Sequence, residues 1–255
     1  MINARMAEIW RYPVKSMLGE QIDRANVGPG GIQGDRRWAV VDAQSGVSLS
    51  AKRYPDLLRC RAWTSDGDVR VRLPDGRELP VSSRDVGLAL SDLLGRQVIT
   101  RSAETMTMIQ HEFPTAVTEG EGEPYLYAPK TEAFFDSVPL HLLTTGTLKK
   151  LQQLLPASAI QRARFRPNFL VDIDEIGFLD NDWVHQDVTL GSLRCHVIDH
   201  TRRCIMVSHA QGDLPRDMQV IRTVLKENES RAGIALKALH TGVVHQGDAV
   251  AVRAE

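Results

Sequence analysis

Cysteine is scarce in this chain. Three cysteines in 255 residues, Cys60, Cys195 and Cys204, are too few and too scattered for a disulfide framework. They also fall short of the quartet that an all-cysteine iron–sulfur cluster needs. Such sparing use marks the chain as cytoplasmic and reduced. Excess charge of either sign is missing too. The formal net charge is -1, so bulk electrostatics favour neither nucleic acid nor an anionic membrane. No stretch is apolar over membrane-spanning length, and the first six residues lack the apolar run of a signal peptide. Gly28-Pro29-Gly30-Gly31 is not followed by the Lys-Ser/Thr and helix of a phosphate loop. His196 and His200 are four residues apart, but His196 falls in the strand-like run 193–198, so with His209 they do not make the helical i, i+4 pair of a zinc site. Positive charge must therefore act locally.

Residues 5 to about 85 are broken at short intervals by Gly, Pro and Asp, with apolar or alternating runs such as Trp38-Ala39-Val40-Val41 and Val69-Arg70-Val71-Arg72-Leu73 between them. This is strand-and-turn grammar. Leu73-Pro74-Asp75-Gly76-Arg77 reads as a hairpin turn, because Asp-Gly tolerates a left-handed backbone. Residues 85–96 read as a short helix capped by Asp85 and stopped at Gly95. Further helices are expected over 147–155, ending at Pro156, and over 217–229. Strands are expected over 169–173, 188–190, 193–198 and 249–252. Many short strands with few helices predict a mainly β, barrel-like architecture in place of an alternating βαβ fold. A boundary near residue 100 divides the chain into 1–100 and 101–255, ahead of the polar run at 119–124.

His200-Thr201-Arg202-Arg203-Cys204 sets one thiol beside two guanidiniums. A thiol so flanked leans toward thiolate, the form that attacks electrophiles and ligates soft metals. Upstream, Arg164-Phe165-Arg166-Pro167-Asn168 offers two arginines that face one side if the segment is extended. Guanidiniums hold phosphates in bidentate fashion. Arg164, Arg166, Arg202 and Arg203 are thus candidates to hold an anionic cofactor, although a basic strand end exposed to water reads equally well. Cys204 precedes Ile205-Met206-Val207 and should stand at the mouth of a buried strand. Cys195 and Cys60 read as core residues. Lys15 and Ser16 in Tyr12-Pro13-Val14-Lys15-Ser16 add a cation and a hydroxyl, and Arg36 adds a further guanidinium. Taken singly, these read as a surface lysine and a salt-bridged turn.

In their order and spacing the motifs resemble the MOSC superfamily, named after the C-terminal part of molybdenum cofactor sulfurase. The first half resembles its N-terminal β-barrel domain through Tyr12-Pro13-Val14-Lys15-Ser16, Gly34-Asp35-Arg36 and Ser50-Ala51-Lys52. The second half resembles the MOSC domain through Leu140-His141-Leu142-Leu143-Thr144-Thr145, Arg164-Phe165-Arg166-Pro167-Asn168, Arg203-Cys204 and Gly247-Asp248-Ala249-Val250. The amidoxime-reducing branch is the most similar. The resemblance implies a MOSC-type β-barrel domain behind a smaller β-rich domain. It also implies a molybdopterin-type molybdenum cofactor with Cys204 on the metal, and a reductase of N-hydroxylated or related N–O compounds. Lys15, Ser16 and Arg36 match groups around the pterin phosphate; Thr144, Thr145, Arg166 and Asn168 match contacts from the second domain. With no flavin fingerprint and no iron–sulfur quartet, electrons must come from a ferredoxin-like, flavin or haem partner. A pyridoxal phosphate link finds no support. One anionic ligand engaging both halves should draw Lys15, Arg36, Arg166, Asn168 and Cys204 into a single cleft. The chain departs from the family pattern Cys-x-x-Thr-Thr-x-Asp-Pro: residues 204–211 read Cys-Ile-Met-Val-Ser-His-Ala-Gln, so no carboxylate stands at 210, and Arg202 stands where relatives often have Ser. That departure keeps a second function open, a molybdenum cofactor carrier or sulfur-transfer protein that holds a persulfide on Cys204.

Overall fold

The computed structural model describes residues 4–106, 111–113, 125–127 and 133–253; the polar run at 119–124 lies outside them. The fold is mainly β with four α-helices, α1 (Arg84–Leu94), α2 (Thr145–Leu154), α3 (Arg162–Phe165) and α4 (Met218–Asn228). Seven strands close into a ring: Ala4–Arg11, Phe169–Ile173, Leu140–Thr144, Arg231–Ala238, Leu193–Arg202, Asp187–Leu190 and Ala249–Arg253, which pairs back onto Ala4–Arg11. The strand Glu20–Ile22 adds to Ala4–Arg11 outside the ring. Leu140–Thr144 and Phe169–Ile173 run parallel. A parallel pair needs a crossover, and α2 and α3 lie within it.

Period-2 alternation decides what enters the barrel. Phe169, Val171 and Ile173 point into its core, while Leu170 packs outside. Leu140 and Leu142 likewise face inward and Leu143 outward. The outward set meets Val220, Ile221 and Val224 of α4 and Val207. Each such aliphatic side chain contributes roughly 1.5–3 kcal/mol when fully buried.

The first half builds its own core from Val14, Met17, Val40, Leu57, Leu58, Cys60, Val71, Val86 and Leu90. Around it lie the pair Trp38–Asp42 with Val98–Ser102, the meander Arg61–Ser65, Asp68–Arg72 and Glu78–Pro80, and α1. Strand Arg24–Gly28 pairs with Gly242–His245. Two strands from before residue 100 therefore hydrogen-bond into the second half, so the expected 1–100 and 101–255 units are interlocked. Among the described residues no helix is long and apolar enough to cross a membrane.

The 73–77 hairpin turn is present, with Gly76 at φ +87°. The first helix does stop at Gly95, which is left-handed, but its cap is Ser83, not Asp85. Ser83 is extended and its Oγ accepts from Val86 N at 3.2 Å, while Asp85 is already helical. The second helix starts at Thr145, two residues earlier than its leucine spacing indicates, because the Thr144 side chain accepts from Thr147 N. Asp217 caps α4.

Candidate functional site

A cleft of about 230 Å³ opens between the two halves, walled by the 15–16 segment, Arg36, Ser50 and Lys52 on one side and by Phe134, residues 136–138, His141, Phe165, Arg166 and residues 201–204 with Met206 on the other. Lys15, Ser16, Arg36, Arg166, Arg202, Arg203 and Cys204, all named from the sequence, meet here. Six cations, Lys15, Arg36, Lys52, Arg166, Arg202 and Arg203, face one carboxylate, Asp136. Asp136 is bound by both Lys15 Nζ and, at 2.9 Å, Lys52 Nζ. Among the described residues of the wall the four guanidiniums have no such carboxylate, although Arg36 pairs with Asp35 behind it, which leaves the cleft attractive to an anion.

Local chain geometry aims these groups. Ser16, Arg36 and Arg166 adopt left-handed backbone, with φ of 66°, 51° and 54°. Each such non-glycine residue costs about 1–3 kcal/mol, and such strain gathers at ligand sites. Arg162–Phe165 is one helical turn that ends at left-handed Arg166. This corrects the extended reading of the segment and splits its two arginines. Arg166 turns into the cleft, donates to Met17 O at 2.7 Å and stacks 4.4 Å from the Tyr12 ring centroid. Arg36 lies 4.9 Å from the same ring and pairs with buried Asp35. Burial moves the Arg166 guanidinium down to about 10, opposed by Tyr12, so it stays charged at neutral pH.

Arg164 points away from the cleft. It is fully buried and donates to the carbonyls of Ala159, Val207, His209 and Pro215, knitting α3 to the 205–215 segment. Asn168 stands behind the wall: its Oδ1 accepts from His141 N and its Nδ2 donates to Asp35 and Trp10. Thr144 is a buried helix cap, and Thr145 Oγ1 accepts from Ile173 N and donates to Asp172. Neither threonine lines the cleft: the Thr144 hydroxyl is committed to the cap of α2 and the Thr145 hydroxyl to the strand Phe169–Ile173.

The strand Leu193–Arg202 is irregular between Val197 and Asp199 and again between His200 and Arg202. Bulges of this kind bend a strand and re-aim the residues beyond them. Cys204 comes two residues past the strand end, heading the single turn Ile205–Ser208; it stands before a helical turn and not at the mouth of a strand. Its thiol is partly exposed, whereas Cys60 and Cys195 are buried in the two cores and burial pushes both thiols up to about 12. Arg203 lies beside it: Nη2 donates to Phe165 O at 2.7 Å, and burial lowers this guanidinium while Cys204 opposes the shift. Among the described residues, Arg203 Nε and Thr201 Oγ1 are buried without a hydrogen-bond partner.

Taken residue by residue, the motifs assign no role to Lys52, Asp136 or His141. Asp136 carries a signal, as a carboxylate between Phe134-Phe135 and Val138 in an otherwise apolar approach to a strand. His141 lies in an apolar strand whose neighbours alternate inward and outward. Its Nε2 faces Ala232 O at 3.3 Å, and burial followed by the charge of Arg203 holds its ring well below the ordinary value, hence neutral.

Comparison with known proteins fits this geometry. Residues 3–112 match the MOSC N-terminal beta barrel domain and residues 129–251 match the MOSC domain. The chain belongs to the MOSC superfamily. It is 22% identical over 228 residues to human mitochondrial amidoxime-reducing component 1, covering 80% of this chain and 65% of that protein. It is 21% identical over 272 residues to human molybdenum cofactor sulfurase, covering 93% of this chain and 30% of that one. This MOSC chain thus spans about two thirds and under one third of the lengths of those relatives. The solved structure of the YUAD protein from Bacillus subtilis aligns over 98% of this chain and 94% of its own, with TM-score 0.46 and 11% identity.

Proposed function

We propose that the cleft holds a molybdopterin-type molybdenum cofactor and that the chain is an oxidoreductase acting on small N-oxygenated compounds with electrons from an external protein. The observation that carries this is the convergence of one accessible thiol, Cys204, with Arg36, Arg166, Arg202 and Arg203 in a single cleft. A thiolate is a soft metal ligand, and planar guanidinium forks match phosphate oxygens. The unpartnered Arg203 Nε and Thr201 Oγ1 fit a polar ligand in the same place. Two relatives carry names that refer to amidoxime reduction and to the molybdenum cofactor, which supports the same reading.

When bound, such a cofactor supplies two-electron chemistry that removes oxygen from an N–O group. The chain's own residues bind and orient. Cys204 ligates the metal, and Arg36 and Arg166, braced on either side by Tyr12, neutralise the anionic tail. Lys15 and Lys52 are held in place by Asp136. His141 is neutral and engaged with Ala232 O, so it contributes no charge to the wall. Cys60 and Cys195 are buried in their cores, and with no flavin fingerprint and no cysteine quartet in the sequence the electrons would come from a ferredoxin-like, flavin or haem partner.

A carrier or sulfur-transfer function is the second reading, favoured by Ala210 standing where the family pattern has a carboxylate. One experiment separates them. Wild type and Cys204→Ser, produced in a cofactor-competent host, are assayed for molybdenum and for amidoxime reduction by a dye-supplied electron source. The oxidoreductase reading expects stoichiometric molybdenum and turnover in wild type. It expects an unchanged Tm with turnover lost in Cys204→Ser, since oxygen is a harder, less acidic ligand than sulfur. Molybdenum without turnover in wild type selects the carrier, and full turnover in Cys204→Ser overturns the thiolate assignment.

A further inference from the structure

Behind the cleft lies a second cavity of about 390 Å³, a size typical of small-molecule sites. The two share a wall, because Arg166 lines both. Trp10, Tyr12, Leu18 and Leu214 supply its apolar surface. Arg162 stacks on the Trp10 ring at 3.4 Å, fixed there by Glu8 at 3.0 Å and by the Tyr12 hydroxyl at 3.2 Å. That stack makes a flat wall carrying a guanidinium charge. Arg61, exposed at the rim, has no side-chain partner among the described residues. Gln211 is 2% exposed; its Nε2 donates to Met206 O at 3.1 Å, and its Oε1 has no donor among the described residues. A buried acceptor left unsatisfied costs about 1–3 kcal/mol, which a ligand N–H would relieve. Gln211 stands at the end of the segment that departs from the family pattern and lines this cavity, whereas Cys204 and Met206 at its start line the cleft.

We propose that this cavity is a second binding site, for a planar aromatic carboxylate bearing a ring N–H. The ring lies against the Trp10–Arg162 stack and Leu214, the carboxylate answers Arg61 and Arg162, and the ring N–H serves Gln211. The proposal does not depend on the identity of the ligand in the cleft.

Isothermal titration of the purified full chain with indole-2-carboxylate tests it, with indole-2-carboxamide as the uncharged counterpart. Saturable binding of the carboxylate is expected, weakened about tenfold in the carboxamide and by a similar factor in Arg61→Gln. Arg61 is exposed and unpartnered, so this variant should fold with an unchanged Tm. Arg202→Gln, which alters only the cleft, should leave the affinity as it is. No saturable binding, an affinity indifferent to Arg61→Gln, or an affinity lost in Arg202→Gln each overturns the proposal, the last by placing the ligand in the cleft. Molybdenum content of the same preparations reports on the cleft alone, so the two sites stand or fall separately.

Discussion

Arg166 combines three constraints in one side chain: a left-handed backbone, a stack on Tyr12 and a hydrogen bond to Met17 O across the two halves. A lysine keeps the charge but can neither stack as a plane nor present a fork. Arg166→Lys should therefore retain less molybdenum than wild type and Arg166→Ala less again, each step worth about tenfold in affinity; equal metal content in all three proteins would remove Arg166 from the site. Asp180 shows the cost of charge in a closed place. It is fully buried, Thr147 Oγ1 donates to one of its oxygens at 2.7 Å and the other has no partner. Burial raises its carboxyl to about 6 from 3.8. The folded state thus holds this proton more tightly than the unfolded one. The resulting stability is fully present below the unfolded value and is lost as pH rises through about 6. Relative to Asp180→Asn, wild type should lose about 3 kcal/mol between about pH 4 and about pH 7. Denaturant unfolding of both proteins across that range measures it, and parallel curves would refute it.

At the scale of elements, Gly233 in the strand Arg231–Ala238 sets the position of a cleft residue. Its φ is +85°, and a Cβ there would lie 2.3 Å from His141 Nε2 and 2.5 Å from Leu142 O. Gly233→Ala should cost about 3 kcal/mol or more, lowering Tm by roughly 6–12 °C; an unchanged Tm would show that the strand yields freely. The strands themselves were legible in the sequence wherever local rules decide. Asp75-Gly76 made its hairpin, Gly95 ended its helix and 169–173 formed its strand. Cys60 and Cys195 fell in the cores. Of the site, Lys15, Ser16, Arg36, Arg166, Arg202, Arg203 and Cys204 converge as the motifs suggest. The features that could not be read depend on partners distant in sequence. Arg164 is turned away by a single helical turn whose carbonyl acceptors lie mostly in the later 205–215 segment, and Asn168 is drawn behind the wall by Asp35 and Trp10. Lys52 acquires its meaning through Asp136, which it shares with Lys15.

At the scale of the whole molecule, the barrel belongs to neither half alone. Strand Ala4–Arg11 pairs with Phe169–Ile173 along one edge and with Ala249–Arg253 along the other, and it contributes Met6 and Ile9 to the barrel core. A fragment starting at residue 130 would keep six of the ring's strands and expose two open edges, a recognised route to aggregation. It should give a collapsed or aggregated product without amide dispersion, and adding the 1–129 fragment should restore the native spectrum; an independently folded 130–255 fragment would contradict this. The same ring closure sets a clock on biosynthesis. Translation delivers the strand Ala4–Arg11 long before either of its ring partners exists, so it must wait, paired at most with Glu20–Ile22, until first Phe169–Ile173 and then Ala249–Arg253 have followed. The cleft, whose walls come from residues 15–52 and 134–206, can form only after the later of those walls has left the ribosome.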